Sequence, residues 1–596
     1  MAVLITGLFL LVIPFLFIDF FSDKKRGFVY IFLFWALFHT FLAVFTQFFE
    51  IFYYGVILGV NLLAAVILII LYFKIKISKK SLFKIPQINW AILIVIVIAF
   101  LSLYQVHYNY TGKVNLITNQ ANSYHEVKNM KYVYPYFSDE WYAVSLIEGS
   151  IDSHSLPLKN TFENSFFPNL EMFFHSFLAE IILILGLNPV IHYNLVSLFI
   201  NILIIVLAYV FLRINKVSKL ASVISSLAIL YITYSANLPG LWHLIPLNLG
   251  IMAALVGFCF ISLNDLKMAF LSFLLVFLFY TPLALFFGLG LLVFLFERSQ
   301  KMRARMLEII SYSVIGLLLV VPVVYILLML SPLANSTNYI LSKLFYDSFT
   351  GFFVPQYNFY DIIPIPIILL AISGLLFVYK NKKWIFSQFI LGVLLWIFYS
   401  FSIHRIVINY ERAVIFMAII ITLIAGFGLD GLARYVSLKF KKIKFPIFKY
   451  LEIGAVVLFF ALIPFYTQRE KWRKLILINS VNGMIAYPAA PANNYLVEDD
   501  LKIFKNLENK KFLSLPWKGT VIGVATGAKP VLTKEGTISI GLGTILYDFL
   551  NADCSGKEAI AEKLDLDYIY IYQFNCPNFE KAAESSEKLI LYKIKK

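Results

Sequence analysis

Apolar runs of about twenty residues, separated by short basic clusters, constrain this chain more than any other feature. About 20 predominantly apolar residues suffice to cross the hydrocarbon core of a bilayer. Runs of that kind occupy 2–20, 28–47, 51–73 and 90–106, and they recur up to about residue 466. A backbone in lipid must satisfy its own hydrogen bonds, so each run is predicted to be a helix. Composition agrees: 60% of the residues are hydrophobic and 14% charged, with a mean hydropathy of +0.81. Soluble domains carry about 25% charge, so a soluble enzyme, a disordered chain, a coiled coil and a collagen are all excluded. The first run lacks a basic leader and a small-residue cleavage site, so it is expected to be a retained helix rather than a signal peptide.

Fifty Lys and Arg against 34 Asp and Glu give a net charge of +16. In a soluble protein this would point to nucleic acid. Here the basic residues fall between apolar runs and read as orientation signals, so the expected partner is the lipid bilayer and no nucleic acid. Clusters at Lys24/Lys25/Arg26, Lys74–Lys84, Arg213/Lys216/Lys219, Arg298–Arg305, Lys380/Lys382/Lys383 and Arg434–Lys449 are assigned to the cytoplasm. The segments 108–168, 237–243, 331–361, 403–412 and everything after about 468 then face outward. That parity leaves 170–187, with Glu171, His175 and Glu180, lying along the outer interface or dipping in part-way. The expected fold class is an all-α polytopic membrane protein of roughly 13–14 spans with a small C-terminal extracytoplasmic α/β domain. Its predicted parts are an N-terminal transmembrane extension (1–84), a transmembrane domain with an outer loop at 108–168 (85–467), and the tail domain (468–596). In the tail, Asp567-Tyr568-Ile569-Tyr570-Ile571-Tyr572 alternates with period two and predicts a half-buried strand. Cys554 and Cys576 are a candidate disulfide in that domain, and Cys259 sits in an apolar run as a core thiol.

The loop at 108–168 is the longest polar interruption before the tail, and long ordered loops tend to carry function. Its centre reads Ser138-Asp139-Glu140-Trp141-Tyr142, opening a short amphipathic helix with Val144 and Ile147 at helical spacing. Ser138 suits an N-cap, and Trp141 and Tyr142 suit the interfacial belt. Two carboxylates at a helix start stay ionised beside the positive end of the dipole. One can then take a proton from a hydroxyl while the other orients an acceptor or a divalent metal. The ordinary alternative for such a pair is a solvated helix N-terminus.

The layout resembles the GT-C superfamily of membrane glycosyltransferases, which includes protein O-mannosyltransferases and aminoarabinose and arabinosyl transferases. The matching pieces are Asp139-Glu140-Trp141-Tyr142, the stretch from Pro168 to Leu187, the short loop Tyr234–Trp242, and Asn409-Tyr410-Glu411-Arg412-Ala413 opening a helix that ends Gly426-Phe427-Gly428-Leu429. Two departures stand out: three apolar runs precede the acidic pair where the family has one span, and a His-Pro-Pro-like segment is replaced by Asp152-Ser153-His154-Ser155-Leu156-Pro157. The resemblance implies inverting transfer of a sugar from a polyprenyl-phosphate donor to a hydroxyl of an extracytoplasmic glycan, lipid or protein acceptor. It implies a hexosyl- or pentosyltransferase of the cell envelope. It implies Asp139 as base and Glu140 in acceptor positioning or metal contact, with Mg or Mn as the candidate metal.

A leaving phosphate needs cationic stabilisation, and outward cations are scarce. His404, Arg405 and Arg412 are the candidates for donor phosphate binding, Arg412 foremost because a guanidinium can grip phosphate oxygens in a bidentate way. Its plainer reading is a surface pair with Glu411 or headgroup snorkelling. Trp141, Tyr142, His243 and Glu411 are further candidates for lining the cavity; a lone His such as His243 is more often structural. The competing readings are a transporter or flippase for lipid-linked glycans, which calls for ionisable residues at mid-membrane, and a glycan polymerase or ligase.

Overall fold

The structure, a computed structural model, describes residues 2–78, 90–108, 110–115, 124–130, 133–135, 138–159, 161–162, 169–232, 240–298, 362–401, 410–439, 496–533, 545–585 and 588–595. Among these residues six helices are long and apolar enough to cross a membrane, and seven shorter apolar helices accompany them. The protein is a polytopic helical membrane protein with a small α/β domain at its C-terminal end.

Three helices come first: α1 (Ala2–Val12, continued as a 3-10 turn), α2 (Lys24–Phe48) and α3 (Tyr54–Ser78). Next come α4 (Trp90–Tyr108) and an antiparallel hairpin, β1 (Tyr110–Asn115) with β2 (Tyr124–Met130). That hairpin delivers the chain to α5 (Ser138–Ser153), the helix that begins with the acidic pair. Beyond it lie α6 (Met172–Leu185), α7 (Pro189–Ile214), α8 (Lys219–Ala228), α9 (Pro246–Leu263), α10 (Leu266–Phe279) and α11 (Ala284–Arg298). The bundle closes with α12 (Ile365–Asn381), α13 (Lys383–Phe401) and α14 (Tyr410–Lys439). Local chemistry sets several starts. Asp23, Asn188 and Asp265 accept from backbone N–H groups in the first turns of α2, α7 and α10, and Pro189 occupies the first turn of α7, where a missing N–H costs nothing.

The 30-residue α14 is nearly all buried through its apolar stretch and packs against α8, α12 and α13. It meets α12 at backbone distance: a Cβ added at Gly428 would lie 2.0 Å from the Leu370 carbonyl oxygen, and one at Gly374 would lie 2.2 Å from that of Ile424. Small residues permit this approach, and in lipid close packing is what holds helices together.

Of the two expectations for 170–187, the dipping helix suits the structure better than the interfacial one: every residue of α6 except Leu183 is buried, wrapped by α1, α2, α3, α5 and α10. An interfacial helix would keep a wet polar face. At 14 residues it extends about 21 Å, too short for the hydrocarbon core but long enough to penetrate it. Its Glu180 carboxylate is fully buried and meets His39 Nδ1 of α2 at 2.9 and 3.0 Å, while Asn61 Nδ2 of α3 donates to it at 3.2 Å. This polar knot ties the N-terminal helices to the bundle.

In the tail, α15 (Glu498–Phe504), β3 (Lys511–Ser514), α16 (Pro516–Thr526), β4 (Lys529–Pro530), α17 (Ile545–Asn551), α18 (Cys554–Lys563), β5 (Tyr568–Ile571), β6 (Phe579–Glu584) and β7 (Ile590–Ile594) form one domain. Its sheet has the order β4-β3-β5-β7-β6, with β3 parallel to β4 and β5 and the remaining pairs antiparallel. The alternating strand is β5. It is central rather than half-buried: Ile569 and Ile571 enter one core cluster and Tyr570 the other. Tyr570 affords this because its hydroxyl donates to Asp500 at 2.7 Å. Cys554 and Cys576 are joined by a disulfide. The tail docks on α5 through α16, and Leu496, Val521 and Val524 belong to the core of the bundle.

Removing one partner of the buried His39–Glu180 pair leaves the other charge or dipole uncompensated, at a cost of about 3–5 kcal/mol. His39→Leu should therefore lower the Tm of the detergent-purified protein more than the double variant His39→Leu/Glu180→Leu does. Thermal unfolding followed by tryptophan fluorescence checks this; equal losses would refute it.

Candidate active site

Asp139 and Glu140 are the second and third residues of α5, in the first turn. The helix begins at Ser138 itself, one residue ahead of where a Ser138 cap would place it. The two carboxylates have opposite surroundings. Asp139 keeps 44% of its side chain exposed, whereas Glu140 keeps none.

Asp139 Oδ2 lies 3.3 Å from Arg412 Nη2, a contact between residues 273 apart in sequence. Arg412 sits in the first turn of α14, so the N-terminal ends of α5 and α14 meet here. Only 17% of the guanidinium side chain is exposed, and its Nη1 is buried without a hydrogen-bond partner among the described residues. A half-engaged guanidinium of this kind holds further donors for an anion.

Glu140 is engaged by the protein. Its Oε1 accepts from the Leu244 N–H at 3.1 Å, and its Oε2 faces His243 Nδ1 at 3.3 Å. Burial holds the His243 pKa below its usual value, with the Glu140 charge opposing that effect. A neutral His243 with its proton on Nδ1 makes the pair a hydrogen bond onto the carboxylate; this tautomer is assigned from the acceptor it faces. Asn248 Nδ2 donates to the His243 carbonyl at 2.7 Å, Asn201 Nδ2 lies 3.4 Å from the same oxygen, and the Tyr193 hydroxyl donates to the Leu244 carbonyl at 2.6 Å.

The structure thus brings Asp139, Glu140, His243 and Arg412 together from three elements. Trp141 is expected at the cavity and in the interfacial belt, but it is fully buried and stacks on Tyr134 with ring centroids 6.4 Å apart. Tyr142 and Glu411 are half-buried beside the site residues. His404 and Arg405 lie outside the described residues, as does the outward segment 331–361. Asp152 lies in the last turn of α5 and His154 just past its end. There His154 Nδ1 lies 3.1 Å from the Phe52 carbonyl and its ring tilts against that of Tyr53, with centroids 3.9 Å apart. His175 Nδ1 lies 2.9 Å from the carbonyl of Glu171, one turn earlier.

Sequence reading passed over Tyr193, Asn194, Asn201 and Asn248. Amides inside otherwise apolar spans were the available signal, since polar groups at membrane depth tend to be functional.

A divalent cation is a poor fit to these side chains. Among the described residues no three His, Cys, Asp or Glu side chains converge to hold one. Glu140 is committed to His243 and Leu244, so an ion would meet one carboxylate beside a guanidinium.

No family model and no curated protein matches the chain. Among solved structures it is similar to the oligosaccharyltransferase AglB of Archaeoglobus fulgidus in complex with an inhibitory peptide and a dolichol-phosphate, with 14% identity, coverage of 81% of this chain and 69% of that one, and a TM-score of 0.43. The apo form of the Archaeoglobus fulgidus oligosaccharyltransferase gives the same identity and coverage with a TM-score of 0.42. Its complex with Zn and sulfate gives 14% identity, 80% and 67% coverage, and a TM-score of 0.42. A likeness of this degree assigns no chemistry to the residues above.

Along α5, Glu148 is largely buried and its pKa is pushed up to about 7, by burial first and by the neighbouring Asp152 charge second. An acid whose folded pKa lies above its unfolded value stabilises the fold at low pH and loses that contribution as pH rises through the folded value. Glu148 should therefore withdraw its contribution to stability as pH rises from 4.5 to about 7, and Glu148→Gln should remove that contribution from the pH slope. Melting curves across that range test it; an unchanged slope would exclude Glu148 as its source.

Proposed function

We propose that this protein is a membrane glycosyltransferase that moves a sugar from a polyprenyl-phosphate donor to a hydroxyl of a glycan, lipid or protein acceptor, with inversion at the anomeric carbon. One observation carries the reading: a half-exposed carboxylate at the head of α5 faces an under-used guanidinium at the head of α14. Glycosyl transfer needs both groups. Asp139 takes the proton of the acceptor hydroxyl as its oxygen bonds to the anomeric carbon. The bond from that carbon to the phosphate oxygen breaks, and its electrons leave with the phosphate. Arg412 stabilises the charge through Nη1 and Nη2. Attack from the face opposite the departing phosphate inverts the centre. Glu140, enclosed by His243 and Leu244, sets the pose of α5.

A polyprenyl chain fits this setting because both helix heads belong to a lipid-embedded bundle. The basic clusters favour an outward-facing site, and the disulfide in the tail packed on α5 supports an oxidising compartment for that face. The transporter reading draws on the buried His39–Glu180 pair. That pair is closed off by Asn61 and surrounding core, as a structural knot would be.

Because the two groups hold each other, an incoming phosphate must compete with Asp139 for Arg412. Asp139→Asn should abolish sugar transfer, yet bind a sugar-free polyprenyl monophosphate about threefold tighter or more, the scale of a partly exposed ion pair. Arg412→Gln should weaken that binding by about tenfold or more. Transfer assays with a panel of polyprenyl-phosphate sugars and binding measurements in detergent decide the matter. Full transfer by Asp139→Asn would overturn the assignment.

A further inference from the structure

α7 is a long helix of the bundle that reaches both backbone segments framing the site, and it does so largely with side-chain amides. Tyr193, Asn194, Ser197 and Asn201 follow one another at helical spacing, all four within 1% of complete burial. Asn194 Nδ2 donates to the Tyr134 carbonyl at 2.6 Å and lies 3.3 Å from that of Val133, in the segment that delivers the chain to α5. Two turns along, Asn201 lies 3.4 Å from the His243 carbonyl and accepts from Asn248 Nδ2 at 2.8 Å. Tyr193 holds the next carbonyl, that of Leu244.

The two segments carry different halves of the chemistry. Val133–Pro135 lead into α5 and thus into Asp139, four residues past Pro135. His243 and Leu244 grip Glu140, the neighbour of Asp139. Irregular backbone inside a bundle must find donors for its carbonyls, and an apolar helix face offers none. The amides of α7 supply them. Their geometry then fixes the height and rotation of the α5 head relative to Arg412. Glu140 pins the first turn from one side and the amide of Asn194 braces the incoming segment from the other, and a displacement of about 1 Å at a reacting group costs on the order of a hundredfold in rate.

We propose that Asn194 is a positioning residue for glycosyl transfer: through the carbonyls of Val133 and Tyr134 it holds Asp139 at the acceptor hydroxyl without touching substrate itself. This rests on the catalytic reading of Asp139 and Arg412 given above. Arg412 belongs to α14, so loosening the head of α5 should spare the phosphate contact and damage only the proton-transfer geometry.

The test compares Asn194→Leu, which removes the donor, with Asn194→Ser, which keeps a short hydroxyl donor and folds where the larger change does not. Steady-state transfer from the active polyprenyl-phosphate sugar is measured beside binding of a sugar-free polyprenyl monophosphate. Asn194→Leu is expected to lose tenfold or more in kcat while monophosphate affinity is kept or rises by no more than about threefold, as the Asp139–Arg412 contact loosens. Asn194→Ser should recover part of the kcat. A kcat near wild type in a folded Asn194→Leu protein overturns the inference, as does a parallel loss of kcat and affinity in both variants. Absence of transfer by the wild type from every polyprenyl-phosphate sugar would instead overturn the functional reading beneath it.

Discussion

A carboxylate with no exposed surface has to be paid for in hydrogen bonds, and Glu140 receives them from a backbone N–H and an imidazole on the loop before α9. That bond is the constraint on which the rest of the site depends. It fixes the first turn of α5 to the body of the bundle, so the next carboxylate along is presented rather than buried. Adjacent residues on a helix point about 100° apart, and here that angle separates a structural acid from a solvent-facing one.

The same economy recurs through the molecule. Several buried polar groups are joined in sets: Glu180 with His39 and Asn61, His243 and Leu244 carbonyls with Asn248, Asn201 and Tyr193, and Asp500 with Lys518 and Tyr570 in the tail. Each set joins elements distant in sequence. Helices in lipid lack a hydrophobic drive toward one another, so such knots, with close glycine contacts such as Gly374 against α14, specify which helix sits beside which. The N-terminal helices are part of this scheme, because α2 and α3 supply His39 and Asn61 to α6.

The tail domain takes part as well. Its sheet is completed by the parallel β3–β5 pair, and α16, leaving β3 through Leu515, lies on α5. Leu496, Val521 and Val524 bury themselves in the bundle core, so the domain is joined to α5 by apolar contact rather than tethered by its linker alone.

The sequence by itself determined a polytopic helical protein with a small α/β tail, because twenty-residue apolar runs and a period-two strand are local patterns with one physical solution each. It also marked Asp139, Glu140 and Arg412 as chemically unusual, since charged residues at helix heads near lipid stand out against a chain with 14% charge. What it left open was partnership. Nothing local in Glu140 says that it will be enclosed while Asp139 is not, and nothing in the run of α7 says that Asn194 will find a carbonyl 60 residues upstream. Trp141 reads as an interfacial aromatic until α5 packs its ring inside, and 170–187 reads equally as a surface helix or one dipping part-way in until its neighbours surround it. Burial and pairing are properties of three-dimensional neighbours, so only the tertiary structure decided which carboxylate meets the guanidinium and which meets the imidazole.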